Sequence, residues 1–193
     1  MKEINLVYID DSPDIALSKY LDKNLKISGY RFKYSEIVFV PSDGYESLMK
    51  NPLITHANIV IIDSMLFENK DVKKGKFSGE EFKIILRKYF PFIETIVITQ
   101  NEPDDAAGTL PKFDSRKHGG TANEYYNRVL PSKVLNAIET IRQYQFLSEK
   151  LRTNTCLDKY LVEKIEDALN GQNTYDELTK TDVDRLIAEM QKL

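Results

Sequence analysis

Residues 4–11 read INLVYIDD, a short run of mostly β-branched, aliphatic and aromatic side chains that stops at two acids, Asp10 and Asp11. The run is apolar at consecutive rather than alternate positions. Both of its faces are therefore expected to be covered, as in a parallel strand buried between helices. Two further segments share this form. Residues 57–62 (ANIVII) end at Asp63, and residues 94–99 (ETIVIT) end in Thr99.

Helical signals separate these runs. Ser12-Pro13 predicts a helix entry with Ser12 as N-cap and proline at the first helical position. A helix over 15–27 follows, with Leu17, Leu21 and Leu25 at a spacing of four and Gly29 closing it. A second, more polar strand is predicted over 31–40, ending at Pro41, and a short helix over 44–50 before the Asn51-Pro52 break. Phe82, Ile85, Leu86 and Tyr89 form one stripe of a helix over 79–89, which Pro91 stops. Residues 100–121 are poorly patterned, with one short helix near 104–107. The pattern predicts a fifth strand over 124–130 and a last helix opened by Pro131-Ser132, carrying Leu135, Ile138, Ile141, Tyr144 and Leu147.

Strands alternating with helices imply an α/β protein with helices on both faces of one sheet. Right-handed crossovers then favour the doubly wound, flavodoxin-like five-stranded parallel sheet with strand order 2-1-3-4-5. The pattern changes after residue 148. Leu157, Tyr160, Leu161, Ile165 and Leu169 sit at helical spacing, Asn170-Gly171 reads as a C-cap, and Val183, Leu186, Ile187 and Met190 suggest another amphipathic helix. Residues 1–148 are thus expected to form one domain, and 149–193 a C-terminal helical extension.

The 193 residues bound the function further. Lys+Arg number 27 against 30 Asp+Glu, a net charge of −3 that argues against bulk nucleic-acid affinity. The extension carries 7 basic and 10 acidic residues, leaving 20 of each in residues 1–148. Asp182, Asp184 and Glu189 oppose a DNA-reading helix there and favour an amphipathic helix offered to a protein partner. The single cysteine, Cys156, excludes an internal disulfide and is expected to be a small packing residue. No apolar run reaches the ~20 residues that span a bilayer, and the N-terminus is no signal peptide, so a soluble, cytoplasmic protein is expected. Lys70, Lys73, Lys74 and Lys76 read as a solvated loop, and His56 and His118 as surface or loop residues.

In an open parallel sheet, ligands bind beyond the carboxyl ends of the strands. The residues placed there are Asp10 and Asp11 after the first strand, Asp63 after the third and Thr99 at the end of the fourth. A fifth strand over 124–130 would add Tyr125, Tyr126 and Arg128. The two tyrosines cannot both point inward on a strand, because strand side chains alternate. Three converging carboxylates repel unless a hard cation such as Mg2+ or a shared proton joins them, and a carboxylate so held can attack a phosphoryl group.

This set resembles the receiver domain of two-component response regulators, over roughly residues 3–148. The resemblance implies that Asp63 accepts a phosphoryl group from a histidine kinase or phosphotransfer protein. It implies Mg2+ as cofactor on Asp10, Asp11, Asp63 and the backbone carbonyl of Met65. Thr99 and an aromatic three residues before a basic group would act as the switch, with Tyr125 the best match and Tyr126 competing. Arg128 would contact the phosphate in place of the usual lysine; Lys112 or Lys117 could also supply the cation from the loop. The chain departs from the family in lacking Lys-Pro after the expected fifth strand and in carrying Gln100 where a small residue is usual. The function implied is a phosphorylation-dependent signalling switch, not an enzyme. It would act through protein contacts, with a downstream partner on the C-terminal helices, possible homodimerisation, no direct DNA binding and no membrane. The alternative is a degenerate receiver that binds a partner without phosphate. A haloacid-dehalogenase-type phosphatase fits less well, because residues 10–12 read Asp-Asp-Ser rather than Asp-x-Asp.

Overall fold

A computed structural model describes residues 2–66, 78–101, 109–170 and 172. The predicted helices over 104–107 and 181–190, and the lysines at 70, 73, 74 and 76, lie outside the described residues. Five parallel strands form one sheet in the order β2-β1-β3-β4-β5: β1 (Lys2–Asp10), β2 (Tyr30–Val38), β3 (Ile59–Asp63), β4 (Glu94–Thr99) and β5 (Leu110–Pro111). This is the doubly wound order expected from the alternation of elements. Every residue of β3 is buried, as its unbroken apolar run requires, whereas β2 alternates between partly buried and exposed positions in the manner of an edge strand.

The helices divide between the two faces. Leu17 of α1 (Ile15–Lys19), Leu21 of the wider π-helical turn that continues it (Tyr20–Asn24), and Leu130, Val134, Ile138 and Ile141 of α6 (Ala122–Arg152) pack with Ile4, Leu6 and Tyr8. The opposite face joins Val7, Ile9, Val60 and Ile62 to three further helices. These are α2 (Gly44–Met49), α3 (Pro52–Thr55) and α4 (Gly79–Tyr89), through Leu48, Met49, Ile54, Phe82 and Leu86. Among the described residues, no helix is long and apolar enough to cross a membrane.

Three expectations need correction. The N-cap of α1 is Asp14, whose side chain accepts from the Ala16 and Leu17 amides; the Ser12 amide turns back to Asp10 instead. The predicted strand over 124–130 is the start of α6, which runs through Pro131 without ending. The capping box of Thr121 and Glu124 opens that helix by pairing each side chain with the other's backbone amide. The fifth strand is the two-residue Leu110–Pro111, where proline is tolerated because β5 is an edge. Finally, Cys156 is exposed rather than packed.

α6 is continuous across residue 148, and Ser148 is its last buried residue. α7 (Lys159–Leu169) follows, capped by Asp158 and ending at Asn170, and the Arg152 guanidinium lies 2.6 Å from Glu166 to tie the two helices. No residue of α7 is buried.

Candidate functional site

The carboxyl ends of β1 and β3 bring three acids together. One ligand atom from each of Asp10, Asp11 and Asp63 falls within 4.8 Å of the others. They open onto a cleft of about 250 Å³ also lined by Met65, Gln100 and Lys112. Register explains the convergence. β1 and β3 are adjacent parallel strands, so both end at the same edge of the sheet.

Lys112, the residue directly after β5, reaches across this edge. Its Nζ lies 2.7 Å from Asp10 Oδ2 and 2.7 Å from Asp63 Oδ1. All three side chains are buried, at 4%, 2% and 8% exposure for Lys112, Asp10 and Asp63 respectively. The Lys112 amide donates to the Thr99 carbonyl at 2.6 Å, which fixes the lysine beside the end of β4. Burial works against charge on the lysine, but its hydrogen bonds to Asp10 and Asp63 outweigh that and hold the ammonium above the ordinary lysine range. Burial pushes the Asp63 carboxyl above the ordinary carboxylate range; the Lys112 hydrogen bond and charge and the Met65 amide pull the other way, and Asp10 adds repulsion. Among the described residues, one ammonium stands among the three carboxylates, which leaves a formal excess of two negative charges.

Asp63 and Asp10 are also held locally. The Met65 amide donates to Asp63 Oδ2 at 3.0 Å, and the Ser12 amide donates to Asp10 Oδ1 at 2.9 Å. The buried Tyr8 hydroxyl donates to Asp10 Oδ2. Gly79, the first residue of α4, packs so closely that a Cβ there would lie 2.2 Å from the Asp63 carbonyl oxygen. Beside it, Ser64 Oγ donates to Glu80 at 2.7 Å, and the buried Thr109 hydroxyl donates to the same carboxylate at 3.4 Å.

The structure thus gathers Asp10, Asp11, Asp63, Met65 and Lys112 in one cleft. Thr99 stands one residue behind its rim, buried, with Oγ1 accepting the Asn101 amide at 3.1 Å. Arg128 does not belong to the site. It is exposed on α6, with its guanidinium carbon 5.7 Å from the Tyr125 ring centre. Tyr125 and Tyr126 are both buried, because adjacent residues on a helix differ by only about 100° and can share a broad face. The Tyr125 hydroxyl donates to the Pro111 carbonyl at 2.9 Å, and the Tyr126 hydroxyl accepts the Phe113 amide at 3.1 Å. Both support the segment that carries Lys112. Lys117 lies exposed on α5 (Ser115–His118), and the His118 ring packs 4.2 Å from that of Tyr125.

No family model matches the chain, and no curated protein matches it. Ten solved chains are similar to it, the following two among them. One is a two-component transcriptional regulator AraC from Clostridium phytofermentans, at 13% identity and a TM-score of 0.45, covering 76% of this chain and 99% of that one. The other is RcsB from Salmonella enterica serovar Typhimurium, bound to promoter rprA with the phosphomimetic BeF3−, at 15% identity and a TM-score of 0.40, covering 86% and 88%. Neither likeness bears on the chemistry of the cleft.

Proposed function

We propose that this chain is a receiver-type signalling switch whose phosphoryl acceptor is Asp63. The observation that supports this most directly is the buried Lys112 ammonium held 2.7 Å from both Asp10 and Asp63 at the carboxyl edge of a parallel sheet. The described lining of the cleft is mostly polar, which suits a phosphoryl group better than an apolar organic substrate. An Asp63 carboxylate oxygen attacks phosphorus in a phosphohistidine or small phosphoramidate. The P–O bond forms as the P–N bond breaks, and the departing nitrogen keeps the electron pair and takes up a proton. Lys112 and the Thr99 hydroxyl then have a new anionic partner carrying about −1.5 to −2 charge. Their movement toward it would alter the surface around β4, β5 and the adjoining helices.

Mg2+ fits the donor set. Three carboxylates supply only oxygen, and the two negative charges left over by Lys112 match one divalent cation. Asp10, Asp11, Asp63 and the Met65 carbonyl would hold it. When bound, it would neutralise charge on the transferring phosphoryl oxygens. Lys112 takes the role expected of Arg128. Residues 149–193 would form an output element that carries the signal to a protein partner, with a histidine kinase or phosphotransfer protein as donor.

Incubation with a small phosphoramidate and Mg2+, followed by intact-mass measurement, tests the reading. The native chain should gain one phosphoryl group and Asp63→Asn none. A native chain that gains none would contradict the switch and leave a phosphate-independent interaction module.

A further inference from the structure

Tyr8 stands two residues before Asp10 on β1, so both side chains leave the same face of the strand. The phenol is fully buried among the residues packed by α1 and α6. A buried phenol needs a hydrogen-bond partner, and this one donates to Asp10 Oδ2. Lys112 Nζ donates to the same oxygen at 2.7 Å. The other oxygen, Oδ1, accepts the Ser12 amide at 2.9 Å. A carboxylate offers about four lone-pair sites, two on each oxygen. Among the described residues, both sites on Oδ2 are taken and one on Oδ1 is left open.

We infer that Tyr8 sets the cation selectivity of the cleft by limiting Asp10 to coordination through a single oxygen. This rests on the reading of the acidic cluster as a divalent-cation site. The consequence follows from the two common hard cations. Mg2+ binds a few single oxygens in near-ideal octahedral geometry and keeps waters for the rest. Ca2+ takes six to eight oxygens, readily including both oxygens of one carboxylate. An Asp10 that cannot chelate supplies what Mg2+ uses and withholds what Ca2+ gains from. Removing the phenol hydroxyl returns one site on Oδ2 and admits two-oxygen binding.

Calorimetric titration of the full chain with MgCl2 alone and with CaCl2 alone reads this directly. The variants are Tyr8→Phe, Lys112→Met, which frees the same oxygen from its other donor, and Tyr20→Phe. The last removes a buried hydroxyl that bonds Asn127 at 3.1 Å, away from the acids. In Tyr8→Phe the ratio of the Ca2+ to the Mg2+ dissociation constant should fall by about tenfold, the scale on which partners of a ligating side chain act. Lys112→Met should shift the ratio in the same direction, and Tyr20→Phe should leave it unchanged. A ratio that stays constant in Tyr8→Phe, while the native chain binds Mg2+, overturns the role of Tyr8 alone, whatever Lys112→Met shows. An equal shift in Tyr20→Phe overturns it too, as general loosening. A native chain that binds neither cation overturns the cation site and this inference together.

Discussion

At the scale of the residue, the described part of the site holds more acids than cations. Asp10 and Asp63 are buried and share one ammonium, that of Lys112. The raised Asp63 carboxyl has a consequence for stability with a definite sign. A carboxyl held above its unfolded value favours the folded state while protonated, and that contribution is lost as pH rises through the folded value. Asp63→Asn removes the loss. Its stability relative to the native chain should therefore be more favourable at pH 7 than at pH 4, by denaturant unfolding at each pH; an equal difference at both would contradict the shift. Most of this cluster is legible in the sequence. Asp10, Asp11 and Asp63 follow apolar runs directly, and an open parallel sheet places such residues at one edge. The basic partner is less legible. Lys112 sits in a segment with no periodicity, after a strand too short to show one, and Arg128 lies in a stretch whose aromatic and aliphatic residues mimic a strand.

At the scale of the element, the start of α4 packs against the end of β3 and holds Asp63 in place. Ser78 and Glu81 cap α4 reciprocally, and the Gly79 amide donates to the Ser64 carbonyl at 3.0 Å. α4 therefore begins directly against the backbone of Asp63. Gly79→Ala forces a methyl carbon to within 2.2 Å of the Asp63 carbonyl oxygen, where no flexible side chain can yield. A loss of about 1–3 kcal/mol is expected in chemical denaturation, as for other overpacked sites, together with slower phosphoryl uptake by Asp63. Unchanged stability would mean that α4 shifts freely. The predicted bounds of α4 and β4 agree with the structure because each carries its own punctuation, Pro91 after one and Thr99 at the end of the other. Within α6, Pro131-Ser132 imitates a helix start. The true start at Thr121 has an equally local signature, Thr-x-x-Glu after two glycines, and Tyr126, Leu130, Val134 and Ile138 continue it at a spacing of four.

At the scale of the whole molecule, the sheet separates two tasks. Its carboxyl edge gathers the charged groups. The opposite edge receives the later part of α6, where the Tyr144 ring meets Phe92 edge-on at 5.3 Å between centres. α7 then adds a largely uncovered helix with Tyr160 and Leu161 exposed. The parallel architecture was predictable because it depends on residues that repeat across elements, namely the apolar strands and the helical stripes between them. The central claim, that phosphoryl chemistry runs through Asp63 with Lys112 rather than Arg128 as its cation, concerns how distant segments meet. The rate of phosphoryl uptake, followed by intact mass in Lys112→Met and Arg128→Met beside the native chain, tests it most directly. A loss of roughly 10²-fold is expected in Lys112→Met, the scale of removing one preorganised charge-stabilising group, and a native rate in Arg128→Met. A native rate in Lys112→Met, or a comparable loss in Arg128→Met, would contradict it.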